Sequence, residues 1–116
     1  MTLRLNREAV AFAEQMIGDG NYRINTIWRE AQPSPQAVET FVRQHGLDGL
    51  RRWYLAEDPD APEDAPERYQ FPIGDFKSVH RSGLIAARDR AASQQQDSIA
   101  EAADELLFFF DRISAC

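Results

Sequence analysis

Apolar residues in this chain recur at three-and-four spacing over most of its length, the period of a helix with one buried face. Val10, Ala13, Met16 and Ile17 set the first such stripe. It predicts a helix that starts near Asn6, a residue able to cap, and ends at GDGN over 18–21. Ser34 followed by Pro35 reads as an N-cap and first helical residue. Val38, Phe41 and Val42 supply the apolar face and Gly46 the stop. Asp48 opens a second short helix carrying Leu50, Trp53, Tyr54 and Leu55. A helix from His80 or Ser82 to Ser93 follows, rich in Ala and Arg. The last helix begins at Ser98, with Glu101 completing a capping box, and buries Ile99, Ala102, Ala103, Leu106, Phe110 and Ile113. Two segments resist this period. Over 22–32, Tyr22, Ile24 and Thr26 alternate like a strand while Ile27 to Ala31 suit a helical turn. Over 69–76, apolar residues mix with Pro72 and Gly74.

These elements predict a mainly α fold, one domain over residues 1–116 with four to five helices. An irregular Pro/Asp/Glu-rich loop and a C-terminal helical hairpin complete it. Phe12, Met16, Phe41, Trp53, Phe71, Ile85, Leu106 and Phe110 form the expected core. The loop, EDPDAPEDAPE over 57–67, holds six of the 19 acids, three of the six prolines and no large apolar side chain.

Composition narrows the function classes. At 116 residues, 43% apolar, the chain has one domain's worth of core. Its net charge of -6 opposes binding to polyanions through bulk charge, so nucleic acid is a disfavoured partner. The single cysteine, Cys116, leaves no internal disulfide framework and no Cys-rich metal centre, which fits a reducing cytoplasm. The N-terminal MTLRLNREAV lacks the apolar core of a secretion signal. No apolar run approaches the roughly 20 residues that span a bilayer. Neither a metal nor a cofactor is implied.

Candidate chemistry concentrates at SVHRSGLIAARDR, 78–90. VHRSG with Arg88 is similar to the phosphate loop of cysteine-dependent phosphatases, but Arg81 stands where the nucleophilic Cys belongs. The start of a helix still offers free N–H groups and a partial positive charge. Lys77, His80, Arg81, Ser82, Gly83 and Arg88 could therefore hold a phosphate or a partner's carboxylate. The competing reading is structural: Ser82 or Asp75 caps the helix, and the acidic loop folds back on this basic face. Residues 68–90 carry five bases against two acids. Asp75, His80 and Ser82 are the only compact set of hydrolase-triad types. His80 and Ser82, two apart on a helix, would point about 200° away from each other. His45, before Gly46, suits a helix C-terminus. A second basic cluster, Arg43, Arg51 and Arg52, resembles a phosphate-facing surface. Asp58, Asp60, Glu63 and Asp64 offer hard oxygens for Ca²⁺, without the glycine or ligand spacing of an EF-hand.

Phe108, Phe109 and Phe110 project roughly 100° apart on one helix, so a single core cannot take all three. Phe108 falls among Glu101, Asp104, Glu105 and Asp111. Phe108 is therefore either covered by another segment, such as that of Trp28 or Trp53, or, with Phe109 beside it, marks a candidate protein contact.

WREAQPS at 28–34 and RYQFPIGDFKSVHRSGLIAARDRAA at 68–92 resemble a family of small bacterial proteins. The family shares a W-x-x-AQPS segment and an RYxFPxGDFxxVHRSGLIAA-type run leading into an Ala-rich helix pair. Its acidic loop is similar to DPDAPED here. No activity accompanies the family, so the resemblance implies a folded bacterial domain and no catalytic assignment. The sequence therefore points to a non-catalytic protein-binding or assembly module, with a homodimer among the options. The alternative is a phosphate- or nucleic-acid-binding module using the basic helix start at 77–90.

Overall fold

The computed structural model describes residues 3–115, so Cys116 lies outside the described residues. In chain order the elements are β1 (Arg4–Leu5), α1 (Arg7–Gly18), β2 (Tyr22–Arg23), α2 (Trp28–Ala31) and α3 (Pro35–Leu50). A tight turn over Arg51–Trp53 leads into β3 (Tyr54–Glu57). A second over Pro66–Arg68 leads into β4 (Tyr69–Pro72). Then come β5 (Val79–His80), α4 (Arg81–Ser93) and α5 (Asp97–Ser114). The expected mainly α class is thereby corrected to mixed α/β. Counting the two tight helical turns, helix accounts for 61% and strand for 13% of the described residues, in two small sheets. One is antiparallel in the order β1-β3-β4; the other pairs β2 with β5 in parallel.

The first helix shows how the two classes join. Asn6 stands at its N-cap, but the side chain makes no cap bond. Its Nδ2 donates instead to the carbonyls of Arg51, at 2.8 Å, and Tyr54, at 3.1 Å, tying α1 to the start of β3. At the other end Gly20 takes φ 80. Gly20 N donates to Ile17 O and Asn21 N to Met16 O, a Schellman ending that needs a left-handed residue. In α3, Ser34 Oγ accepts from Ala37 N at 3.1 Å, with Pro35 at the first position as expected. Gly46, at φ 74 and ψ 175, breaks the run there, and helical backbone resumes to Leu50. The short helix expected from Asp48 to Leu55 stops early: Tyr54 and Leu55 turn extended and pair in β3. The capping box also fails to form. Gln96 takes the cap position of α5 and makes no side-chain cap bond; its Oε1 accepts from Leu3 N at 3.3 Å instead.

The hairpin is as expected. Arg81 meets Asp111 and Arg88 meets Asp104, so α4 and α5 run antiparallel. Buried Gly83, Leu84, Ala87 and Ala91 line α4; buried Ile99, Ala103, Leu106, Leu107 and Phe110 line α5. Small residues on α4 permit the close approach. Of the expected core, Trp53, Phe71, Leu106 and Phe110 are buried. Phe12, Met16, Phe41 and Ile85 are half-buried against them. The acidic loop takes a different path from the one expected. It is held by its own closing residue, Arg68, whose buried guanidinium donates to Glu57 Oε2 at 3.0 Å and to Ala61 O at 2.7 Å. Arg4 reaches Glu57 from β1. The basic residues of α4 pair with α5 and not with this loop.

Candidate functional site

The segment 74–83 starts from a turn that only glycine can make. A Cβ on Gly74 would collide with the Ser78 carbonyl and stand 2.6 Å from the Trp53 ring. Asp75 closes the turn, its Oδ1 accepting from Lys77 N at 3.0 Å and Ser78 N at 2.9 Å. Phe76 is held at φ 70, an uncommon conformation for an aromatic residue. Its ring, stacked at 4.5 Å on Phe41 and edge-on to Trp53 at 6.0 Å, offsets that strain by burial. Val79 and His80 then pair with Tyr22 and Arg23. This parallel ladder brings residues 24–27 over the start of α4.

His80 is the centre of the arrangement and is 3% exposed. It stands just before α4 and is not on it, so the helical argument separating it from Ser82 does not apply. The two still do not meet directly. Thr26 Oγ1 lies 2.8 Å from His80 Nδ1 and 3.0 Å from Ser82 Oγ, and bridges them. On the other ring edge Nε2 lies 3.1 Å from Asp75 Oδ2. Thr26 Oγ1 is the hydroxyl common to His80 and Ser82. Nε2 faces Asp75 at close range without an aligned hydrogen bond to it. Burial pushes the Asp75 carboxyl up. The Ser78 N–H, His80 and the Lys77 N–H outweigh it and hold the group below its usual range.

Carboxylate, imidazole and hydroxyl in a row are the residue types of a hydrolase triad. Here the row is closed in on itself. The Trp28 ring lies 6.0 Å from the imidazole. It also covers Gly83, where a Cβ would come within 2.8 Å of that ring. The surface grooves flanking this region are lined by Phe41, His45, Asp75 and Lys77 on one side and by Trp28, Phe71 and Arg90 on the other. Only the carboxylate end of the row reaches a groove; His80, Thr26 and Ser82 line neither. The row therefore clamps the 24–27 segment onto α4.

Neither a family model, nor a curated protein, nor a solved structure matches this chain.

The remaining residues of the anticipated anion site are dispersed among protein partners. Arg81 donates from Nε and Nη2 to the two oxygens of Asp111, at 2.7 and 3.0 Å. This bond raises the arginine further and lowers the aspartate. Arg88 contacts Asp89 and Asp104. Lys77 is exposed on the rim of a groove of about 450 Å³ between α3 and the 74–78 turn. His45 packs against Phe41, the two rings 4.5 Å apart and tilted by 36°. Arg43 pairs with Glu39, and Arg51 and Arg52 meet Glu8. Asp58 caps its own turn through Asp60 N. Among the described residues no group of three or more His, Cys, Asp or Glu could hold a metal ion. No helix there is long and apolar enough to cross a membrane.

Among the described residues three large apolar side chains stand in the open: Phe108 at 73% exposure, Ile27 at 59% and Ile24 at 47%. Phe109 is half-buried, its ring under the Arg112 guanidinium at 5.9 Å. The pattern of α5 singled out Phe108. Thr26, Ile24 and Ile27 were not legible as a unit. Thr26 is 54 residues from His80 in the chain, and the only sign of their meeting is the brief alternation over 22–26.

Proposed function

We propose that this protein is a non-catalytic binding or assembly module whose contact face includes Phe108 and the Ile24–Ile27 segment. The exposure of Phe108 carries the reading. A phenylalanine three-quarters in water on an otherwise well-packed helix costs hydration free energy, which a partner would recover. The region with the best claim to chemistry supports the same reading, because its hydroxyls and imidazole are occupied in holding the 24–27 segment. The alternative anion-binding reading finds no such support, since Arg81, Ser82 and Arg88 all point to protein groups.

The test is Phe108→Asp, read by thermal unfolding and by static light scattering. The contact reading expects an unchanged Tm; where the partner is a second copy, scattering also shows weaker attraction between molecules. A drop of several degrees in Tm would mean that the ring is needed for folding, and the reading fails.

A further inference from the structure

Resting on that reading, we infer that the partner is a second copy of this chain. The dimer is two-fold, with the Ile24/Ile27 half of one copy seated on the Phe108 half of the other. Three observations lead there. The first is charge. YRINTIWR at 22–29 carries Arg23 and Arg29 and no acid, in a chain of net charge -6. Both arginines are exposed. Phe108 has Glu101, Asp104, Glu105 and Asp111 beside it on its helix against one base, Arg112; Asp104 and Asp111 already pair with Arg88 and Arg81, so Glu101 and Glu105 are the acids left to face a partner. The two apolar patches thus carry opposite signs, each suited to the other.

The second observation is contiguity. Thr26, between the two isoleucines, bonds Ser82; Arg81 beside it clasps Asp111; Phe108 lies one helical turn from Asp111. Basic and acidic patches therefore share one contact path, with the Arg81–Asp111 pair between them. A two-fold axis near that pair brings each patch onto its complement in the other copy and closes the assembly, as isologous interfaces do. The third is composition. Among the described residues only Phe108, Ile27 and Ile24 offer large exposed apolar anchors, so the interface is small and its dimer reversible with concentration.

The experiment uses the full chain and two charge-reversed forms. One carries Arg23→Glu with Arg29→Glu, and the other Glu101→Arg with Glu105→Arg. All four positions are exposed, so the fold is kept, and circular dichroism verifies it. Sedimentation at low salt is predicted to show wild type associating as concentration rises. Each reversed form associates at least tenfold more weakly, and a one-to-one mixture of the two recovers association as a heterodimer. Should a reversed pair not fold, Ile27→Asp alone must weaken association by a similar factor. A wild type that stays monomeric at every concentration overturns the proposal. So does a mixture no more associated than its parts. A monomeric wild type together with a Phe108→Asp form of unchanged Tm sinks the self-partner and leaves the contact reading intact. Loss of Tm in Phe108→Asp sinks both.

Discussion

His80 is approached on its two ring nitrogens by groups from two distant parts of the chain, Asp75 and Thr26, and each approach makes a prediction. Thr26→Val keeps the shape and removes the hydroxyl. His80 Nδ1 and Ser82 Oγ then lose their common partner, at a cost of about 1–3 kcal/mol in stability measured by denaturant unfolding. A loss under about 0.5 kcal/mol would contradict the clamp. Asp75 predicts a pH dependence. Its folded-state carboxyl titrates below its unfolded value, so its contribution is complete above the ordinary carboxylate range. That contribution is lost as pH falls through the folded value. The denaturation midpoint of wild type should drop more steeply between pH 6 and pH 3 than that of Asp75→Asn; parallel profiles would contradict this. Gly74→Ala drives a methyl into the Ser78 carbonyl and the Trp53 ring, and is predicted to cost about 2 kcal/mol or more by calorimetry.

At the level of elements, legibility followed length. The stripes of α1 and α5 run over three turns or more, and the sequence displays them plainly. The strands are two to four residues long, too short for alternation to show. Their pairing partners lie far apart in sequence: β1 meets β3 across 53 residues, Arg4 to Glu57, the separation at which the two side chains bond. Tyr54 and Leu55 fit a helical stripe locally, and only the ladder to β4 makes them a strand. Asn6 looked like a cap because its type favours one. Its amide found stronger partners in the Arg51 and Tyr54 carbonyls. The acidic loop shows the same override. Charge alone matched it to the arginines of α4. Arg68, buried at the loop's own base, holds it instead. Arg68→Met is predicted to lower stability by about 3 kcal/mol. It should also speed cleavage at Glu63 and Glu67 by a Glu-specific protease; cleavage at the wild-type rate would show that the loop is fixed by something else.

On the scale of the molecule, helices and sheets enclose one hydrophobic cluster and, among the described residues, leave Phe108, Ile24 and Ile27 exposed outside it. The candidate site was legible in part. Phe108 stands out because its helix is strongly patterned. The isoleucines do not, because the fold alone decides which face of 22–29 is turned outward. The account rests on these residues forming a contact face between two copies of the chain, and the most direct measurement is a dilution series followed by amide chemical shifts in ¹⁵N NMR. Shifts that move with concentration are predicted at 22–29, at Arg81 and along 101–112, with the α3 groove around Lys77 unchanged. Spectra identical at every concentration, or changes gathered on α3, would contradict the account.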